Sequence, residues 1–342
     1  MGANLQHGLV DVAFDAVGAG PAGQSPSGST TGLSMSPVTG ASRRLNGIRT
    51  AASGSLSRPV PQAELIQRLA DHHAEVTAGG LDRERTVAGL WKSEGLATTV
   101  ARRLLPENSL NDPALPRHVL PIEHVGFGSG STTLHAFDAT ALHAVFADRC
   151  ASEYRDFSYE GVGAILRGCE RGFFKFMSGA LGVARLDTPD GPNPAGFFAD
   201  YLAQFPPHRQ RLIAHGYGRI CAFSRLDIYD AIRDATKLPR ERIEPIVHGA
   251  AFAFLMINSA DSPHILRHSA IPFEPEVRAA FQNGLVYGLV FLDWYAPGYL
   301  AGWQPLGAVE TALIEHARRE SALATQRGYP LAFRLANPRQ LM

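Results

Sequence analysis

The sequence predicts an all-α protein built from stacked helical hairpins, and three observations carry this prediction. Runs that combine glycine with aromatic and apolar residues recur along the body of the 342-residue chain. A proline lies nine or ten residues ahead of most of these glycines, and shorter amphipathic segments separate the runs. The sequence shows no sustained alternation of apolar and polar residues, which is the pattern that would indicate strands.

The first glycines of these runs define a repeat of about 34 residues. They are Gly126, Gly161, Gly216, Gly249 and Gly284. The intervals are 35, 55, 33 and 35 residues, and the long interval contains the insertion RLDTPDGPNP. The upstream prolines are Pro116, Pro207, Pro239 and Pro275. Proline suits the first turn of a helix, so each proline is predicted to begin a long helix with the glycine in its middle.

Glycine in the middle of a helix needs a physical reason, because it costs about 1 kcal/mol relative to alanine. A small residue lets a neighbouring helix approach closely, and the aromatic residue after it fills the next layer. We therefore predict that the repeated glycines are packing positions. The stretch GFGSGS, which begins at Gly126, resembles a phosphate-binding loop. It lacks the Lys-Ser/Thr of a P-loop and a preceding strand.

Composition divides the chain into three segments. Residues 1–58 are dominated by glycine, serine, threonine and proline, which predicts a disordered head. Residues 59–115 are predicted to form a helical lead-in and linker, and residues 116–335 the helical-repeat body. The head has two interpretations: an evolutionary leader or mis-called start of the chain, or the type III secretion signal of a bacterial effector.

The bulk composition argues against some partners. The 32 basic and 32 acidic residues balance, so we expect no nucleic-acid-binding surface. The longest apolar runs are far shorter than the ~20 residues that span a bilayer, so we expect no membrane span. The cysteines Cys150, Cys169 and Cys221 are widely spaced without a CxxC motif. This pattern indicates reduced, buried thiols in a cytoplasmic protein.

The residue directly before the repeat glycine is polar in four repeats, and these positions form the main candidate site. Equivalent positions of stacked helices line up along one face. The candidate catalytic residues are Glu160, His215 and His248, and the candidate ligand-binding residues are Tyr159, Tyr217, Asn283 and Tyr287. In the alternative interpretation, each polar side chain bonds a neighbouring helix end and serves packing alone.

A metal ion held by Glu160, His215 and His248 together is not expected. Residues two repeats apart on stacked helices would be separated by about 16–20 Å, which is too far for a common ligand. The pair His264 and His268 has the i,i+4 spacing of a zinc site but lacks the Glu and the third ligand. A solvated helix face is predicted there.

Three aspartates are the candidate ligands for Mg²⁺. Asp227, Asp230 and Asp234 fall on one face of a predicted helix, where they would hold the ion against a diphosphate. Arg225 and Arg233 lie close enough in the sequence to neutralise them as ordinary surface ion pairs instead.

Four segments of the body resemble a bacterial family of enediyne biosynthesis proteins of unknown function, found in polyketide gene clusters. They are RDFSYEGVG, HGYGRI, HGAAFAFLM and QNGLVYG. The similarity extends from about residue 119 to residue 335. His215 stands where the family has Asp, and Arg219 where it has an aromatic residue. The resemblance implies a role in natural-product biosynthesis and supplies no established catalytic residues.

Two functions are compatible with these observations. The first is a cytoplasmic biosynthetic protein that binds or transforms a long apolar molecule of polyketide- or isoprenoid-like type, since the predicted helical interior is rich in aromatic residues and poor in charge. The second is a secreted effector whose helical repeats bind a host protein. The sequence alone does not decide whether the chain is an enzyme.

Overall fold

The computed structural model describes residues 83–103, 120–135, 137–170, 199–225, 228–235, 240–258, 273–305 and 307–327, together with 67, 70–72, 74–75, 78, 110, 265–266 and 268. Every regular element within these ranges is a helix and no strand occurs in them, which confirms the all-α prediction. The head predicted over residues 1–58 lies outside the described residues.

Nine α-helices have both ends within the described ranges, together with two short 3-10 turns, Arg155–Phe157 and Tyr299–Gly302. The helices are α1 (Arg83–Arg103), α2 (Leu120–Leu134), α3 (Ala139–Arg149), α4 (Ser158–Glu170), α5 (Pro207–Arg225), α6 (Ile228–Ala235), α7 (Arg240–Asn258), α8 (Pro275–Tyr295) and α9 (Ala308–Arg327). The predicted alternation holds, because the short helices α3 and α6 separate longer ones. Two of the predicted starting prolines, Pro207 and Pro275, do begin a helix.

Six of these helices pack in the order in which they occur along the chain: α1, α2, α4, α5, α7 and α8. Helix α8 also contacts α1, where the Ser93 hydroxyl lies 3.1 Å from the Tyr295 hydroxyl. Helix α5 is also linked to α1 across the interior, because the Arg219 guanidinium donates a hydrogen bond to the Glu94 carboxylate at 2.8 Å. The row of helices therefore curls back on itself and encloses its inner face.

Pairs of glycines two residues apart bring one helix against both of its neighbours. Two residues correspond to a rotation of about 200°, so the two glycines lie on nearly opposite sides of the helix. On α4, a Cβ atom added at Gly161 would lie 2.1 Å from the Val125 carbonyl oxygen of α2. A Cβ atom at Gly163 would lie 1.8 Å from the Ile213 carbonyl oxygen of α5. No side chain fits at either position.

The later repeat glycines make the same contact with the helix before them. A Cβ atom on them would lie 1.8, 1.9 or 2.3 Å from a carbonyl oxygen of the preceding helix. The contacts are Gly216 with Glu160, Gly249 with His215, and Gly284 with His248. Gly126 lies inside α2, against the Glu94 carbonyl of α1. The predicted packing role of the glycines is thus confirmed, and GFGSGS belongs to a helix.

Two of the three cysteines lie in the described core. Cys150 and Cys221 are buried cysteines in the described core, as predicted, whereas the side chain of Cys169 lies outside the described residues. Burial raises the pKa of Cys150 to about 12, so its thiol stays protonated. Among the described helices, none has the length and the hydropathy that crossing a bilayer requires.

Candidate functional site

Glu160, His215 and His248 meet in the interior of the curled row of helices. His215 Nε2 lies 3.5 Å from Glu160 Oε2, and His215 Nδ1 lies 3.1 Å from His248 Nδ1. All three side chains are at most 1% exposed. Each residue precedes or contacts a repeat glycine, so the close helix crossings set the spacing of the side chains. They form an enclosed chain of polar groups rather than the lining of an open groove.

Three further side chains complete this arrangement. The Tyr287 hydroxyl donates to Glu160 Oε1 at 2.9 Å. Arg219 Nη1 lies 3.9 Å from Glu160 Oε2, while Arg219 Nη2 donates to Glu94 at 2.8 Å. We call these residues the polar cluster: Glu94, Glu160, His215, Arg219, His248 and Tyr287.

Aromatic rings surround the polar cluster. The Phe252 ring centroid lies 5.7 Å from that of His215 and 5.5 Å from that of Tyr287. The Arg219 guanidinium lies over Phe252 at 5.0 Å and over Trp91 at 5.9 Å, within the range of cation–π attraction. The cluster comes closest to solvent at Glu94, whose side chain is 15% exposed.

Burial makes Glu160 an unusual carboxyl group. It raises the pKa of Glu160 to about 7, and the nearby charge of Glu94 adds to this effect. Arg219 and the hydrogen bond from Tyr287 act in the opposite direction without cancelling it. Burial also disfavours the charge on Arg219, yet Glu94 and Glu160 outweigh that effect and raise the pKa of Arg219. The guanidinium therefore stays charged.

Both histidines of the cluster are neutral at physiological pH. Burial, reinforced by His248 and Arg219, holds the pKa of His215 well below its ordinary value. Burial and the charge of Arg211 lower the pKa of His248 to about 3. Burial and the Glu160 carboxylate raise the pKa of Tyr287 well above 10.0, so its hydroxyl keeps its proton.

Several polar atoms of the cluster are buried without a hydrogen-bond partner in the described part of the chain. They are Nε and Nη1 of Arg219, Nε2 of His215 and Nε2 of His248. Most buried polar groups in proteins are hydrogen-bonded, because an unpaired one destabilises the fold by about 1–3 kcal/mol. These nitrogen atoms of the cluster are therefore open to further hydrogen bonds.

The chain matches no protein-family model, curated protein or solved structure with which it was compared. Function has to be inferred from the polar cluster and its surroundings. The resemblance of four segments to the enediyne biosynthesis family stays a prediction.

The other predicted ligand-binding residues do not join the polar cluster. The Tyr159 hydroxyl lies 3.2 Å from Nδ1 of the exposed His143, and Arg209 stacks on the Tyr159 ring at 4.6 Å. The Tyr217 hydroxyl accepts a hydrogen bond from Arg167 at 2.7 Å. Asn283 is half-buried one turn before Tyr287, and no hydrogen bond links it to the cluster within the described ranges.

The aspartates proposed for Mg²⁺ are described only in part. Asp230 forms an ion pair with Arg233 on α6, in line with the surface-pair alternative. Asp227 and the side chain of Asp234 lie outside the described residues. No group of three or more His, Cys, Asp or Glu side chains in the described part of the chain is placed to hold a metal ion. The Mg²⁺ site stays a prediction.

Two members of the cluster, Glu94 and Arg219, were missed by the sequence reasoning, although both leave a signal. Glu94 directly precedes Gly95, as Glu160 precedes Gly161, so the polar-before-glycine pattern extends one helix upstream. Arg219 follows His215 by four residues, which places a charge on the same face of an otherwise apolar helix.

Proposed function

We propose that the protein binds an apolar small molecule of polyketide- or isoprenoid-like type and transforms it by proton transfer, as part of bacterial natural-product biosynthesis. The observation that carries the proposal is the buried Glu160 carboxyl, which accepts one hydrogen bond, from Tyr287, within the described residues. It lies beside two neutral imidazoles in a cluster enclosed by aromatic rings.

Stability alone does not account for such a cluster. Replacing buried charged groups by well-packed apolar side chains is often neutral or stabilising, by up to about 4 kcal/mol. Here the interior instead holds Arg219, Glu160 and two histidines, and four of their nitrogen atoms have no hydrogen-bond partner in the described part of the chain. Groups that lower stability in this way concentrate at functional sites, and this supports a chemical role.

The protonation equilibria indicate the kind of reaction. A carboxyl group with a pKa of about 7 is present in both forms at neutral pH, so Glu160 can give or take a proton as a general acid or base. The neutral His215 can accept a proton from Glu160 or deliver one to it. Arg219 stays cationic and stabilises negative charge that develops beside it.

The surroundings of the cluster indicate the class of substrate. Phe252 and Phe291 are buried, with ring centroids 5.5 Å apart, and Trp91 is half-buried near the more exposed end at Glu94. Aromatic side chains around a few converging polar groups suit a mostly apolar molecule that carries one or two oxygen atoms. Glu160, His215 and His248 also lie in three of the segments that resemble the enediyne biosynthesis family, which supports the proposed pathway.

The proposal is tested by extracting the purified protein with organic solvent and analysing the extract by mass spectrometry. The double variant Glu160→Gln/His215→Asn keeps side-chain size but removes the titratable groups. The double variant Glu276→Gln/His208→Asn makes the same chemical changes at an exposed and a half-buried position outside the cluster. We expect an apolar molecule in the wild type and in this control, and its loss from the cluster variant.

If the ligand is lost during purification, binding can still be measured by titrating the protein with cis-parinaric acid, a fluorescent conjugated polyene. Binding should quench tryptophan fluorescence, since Trp91 lies beside the cluster. A wild type that carries no molecule and binds no polyene, with a cluster variant that only melts at lower temperature, would defeat the proposal. That outcome would favour the alternative in which the polar side chains only bond neighbouring helices and serve packing. The protein would then be expected to bind another protein.

A further inference from the structure

The contact between the two buried histidines restricts where their protons lie. Nδ1 of His215 and Nδ1 of His248 are 3.1 Å apart, a hydrogen-bonding distance. A neutral imidazole carries one proton, on either Nδ1 or Nε2. One ring must therefore donate through Nδ1 while the other accepts, so the two rings hold opposite tautomers. Of their two buried Nε2 atoms, one carries a proton and the other a lone pair.

The charge of Glu160 decides between the two arrangements. A Glu160 carboxylate favours a proton on His215 Nε2, which lies 3.5 Å from it. His248 then donates through Nδ1, and its own Nε2 is left with a lone pair. A protonated Glu160 instead directs its O–H toward the bare His215 Nε2. His215 then donates through Nδ1, and His248 carries its proton on Nε2.

We propose that Glu160, His215 and His248 form a proton relay that connects the Glu160 carboxyl with Nε2 of His248. In one passage the O–H bond of Glu160 breaks and an N–H bond forms at His215 Nε2. The proton on His215 Nδ1 moves to His248 Nδ1, and the proton on His248 Nε2 passes to an acceptor oxygen of the bound molecule. The net change is one proton moved and a carboxylate left at Glu160.

The relay deepens the proposed function, and the identity of its acceptor rests on that function. A molecule that uses the relay must place a carbonyl or hydroxyl oxygen at Nε2 of His248, an atom that is buried and has no partner in the described ranges. The proton transfer to the bound molecule would then occur at His248, two groups away from the Glu160 carboxyl that titrates.

Charged pairs flank both ends of the relay. On the packed helices, Arg219 of α5, Tyr287 of α8 and Glu94 of α1 act on Glu160, in addition to His215. The buried titratable groups of α2 have other partners: His124 accepts from the Ala151 backbone, and Glu123 raises the pKa of Tyr295. At the far end Arg211 acts on His248 and is itself paired with Glu244.

The relay is tested in the ligand-free protein by long-range ¹H–¹⁵N correlation spectra of histidine, which distinguish the two neutral tautomers. Signals of His215 and His248 are assigned by their loss in His215→Asn and His248→Asn. We expect the two rings to hold opposite tautomers both at about pH 5.5 and at about pH 8.5. Each ring should hold one tautomer at the lower pH and the other at the higher pH. The relay would be overturned if the two rings held the same tautomer, or if neither ring changed its tautomer between the two pH values. An imidazolium signal from either ring would also overturn it.

Two variants sharpen the test. In Glu160→Gln the amide oxygen can accept from Tyr287 while the amide N–H₂ faces His215 Nε2, so the low-pH tautomers should persist at every pH. In Tyr287→Phe the lost hydrogen bond no longer lowers the pKa of Glu160, so the exchange should occur at higher pH. If Glu160→Gln does not fold, the wild-type titration alone decides. Because no ligand is present, the outcome is independent of the extraction experiment.

Discussion

Gly216 of α5 lies so close to Glu160 of α4 that a methyl group on the glycine would be 1.8 Å from the Glu160 carbonyl oxygen. The residue that supplies this carbonyl also supplies the carboxyl of the polar cluster. Gly249 and Gly284 have the same relationship to His215 and His248. One set of helix crossings therefore determines both the packing of the fold and the spacing of the candidate site.

The substitution Gly216→Ala should destabilise the protein by about 3 kcal/mol or more, at the upper end of the range for overpacked cores. The clash involves backbone atoms, which cannot move aside without separating α4 from α5. Gly288→Ala is the matched control, because its nearest neighbour is the flexible end of Leu255 at 3.2 Å. The gain in helix propensity should keep that change within about 1 kcal/mol. Urea unfolding measures both, and equal midpoints would contradict the prediction.

Glu160→Gln should change how stability depends on pH. The pKa of Glu160 is about 7 in the folded protein, against 4.5 for an unperturbed carboxyl, so the folded state holds this proton over a range in which the unfolded chain has lost it. Its contribution to stability is therefore full below about pH 4.5 and is lost as the pH rises toward about 7. We expect the wild type to lose roughly 3 kcal/mol relative to Glu160→Gln across this window. Parallel stability curves for the two proteins would contradict this.

His248→Gln should make the protein less sensitive to acid. The pKa of His248 is about 3 in the folded state and 6.5 in an unperturbed histidine, so between these values only the unfolded chain binds the proton. Stability that is present above pH 6.5 is lost as the pH falls through this window. Thermal melts at about pH 7 and about pH 4.5 should differ less for the variant than for the wild type. His143→Gln, the same substitution at an exposed position, is the matched control.

The ion pair between Arg219 and Glu94 should give a strongly non-additive double-mutant cycle. Glu94→Gln leaves a buried guanidinium without its main partner, and loss of one member of a buried pair costs about 3–5 kcal/mol. Adding Arg219→Met removes the stranded charge and should recover most of this loss. Unfolding free energies of the wild type, both single variants and the double variant measure the coupling. Additive effects would mean that the pair contributes little.

The sequence allowed the helical architecture and the glycine crossings to be predicted, because both depend on local spacing. A glycine at an equivalent position of each repeat implies that neighbouring helices touch there. The second glycine of each pair also carried information, since Gly161 and Gly163 face different neighbours. The spacing of two residues between these glycines is visible in the sequence, and it predicts a helix that packs closely against two neighbouring helices.

The enclosure of the site could not be predicted, because the curvature of a helical row depends on a small rotation at every crossing. These rotations add until α8 contacts α1, and the polar positions then lie inside the molecule. The same limit explains why Tyr159 lies outside the polar cluster. Tyr159 is one residue from Glu160, which turns it by about 100° toward a different neighbour. Tyr287 joins the cluster through its hydroxyl, which reaches across from α8 to the Glu160 carboxyl.

The glycine crossings also affect how this protein can evolve. They depend on main-chain carbonyls and on the absence of a side chain, so the amino acid before each glycine can change without loss of the crossing. Asn283 already shows a different residue at the position held by His215 and His248 in the helices before it. Proteins that descend from this one and keep the glycines can therefore acquire new polar side chains in the interior by single substitutions. The backbone arrangement would stay the same.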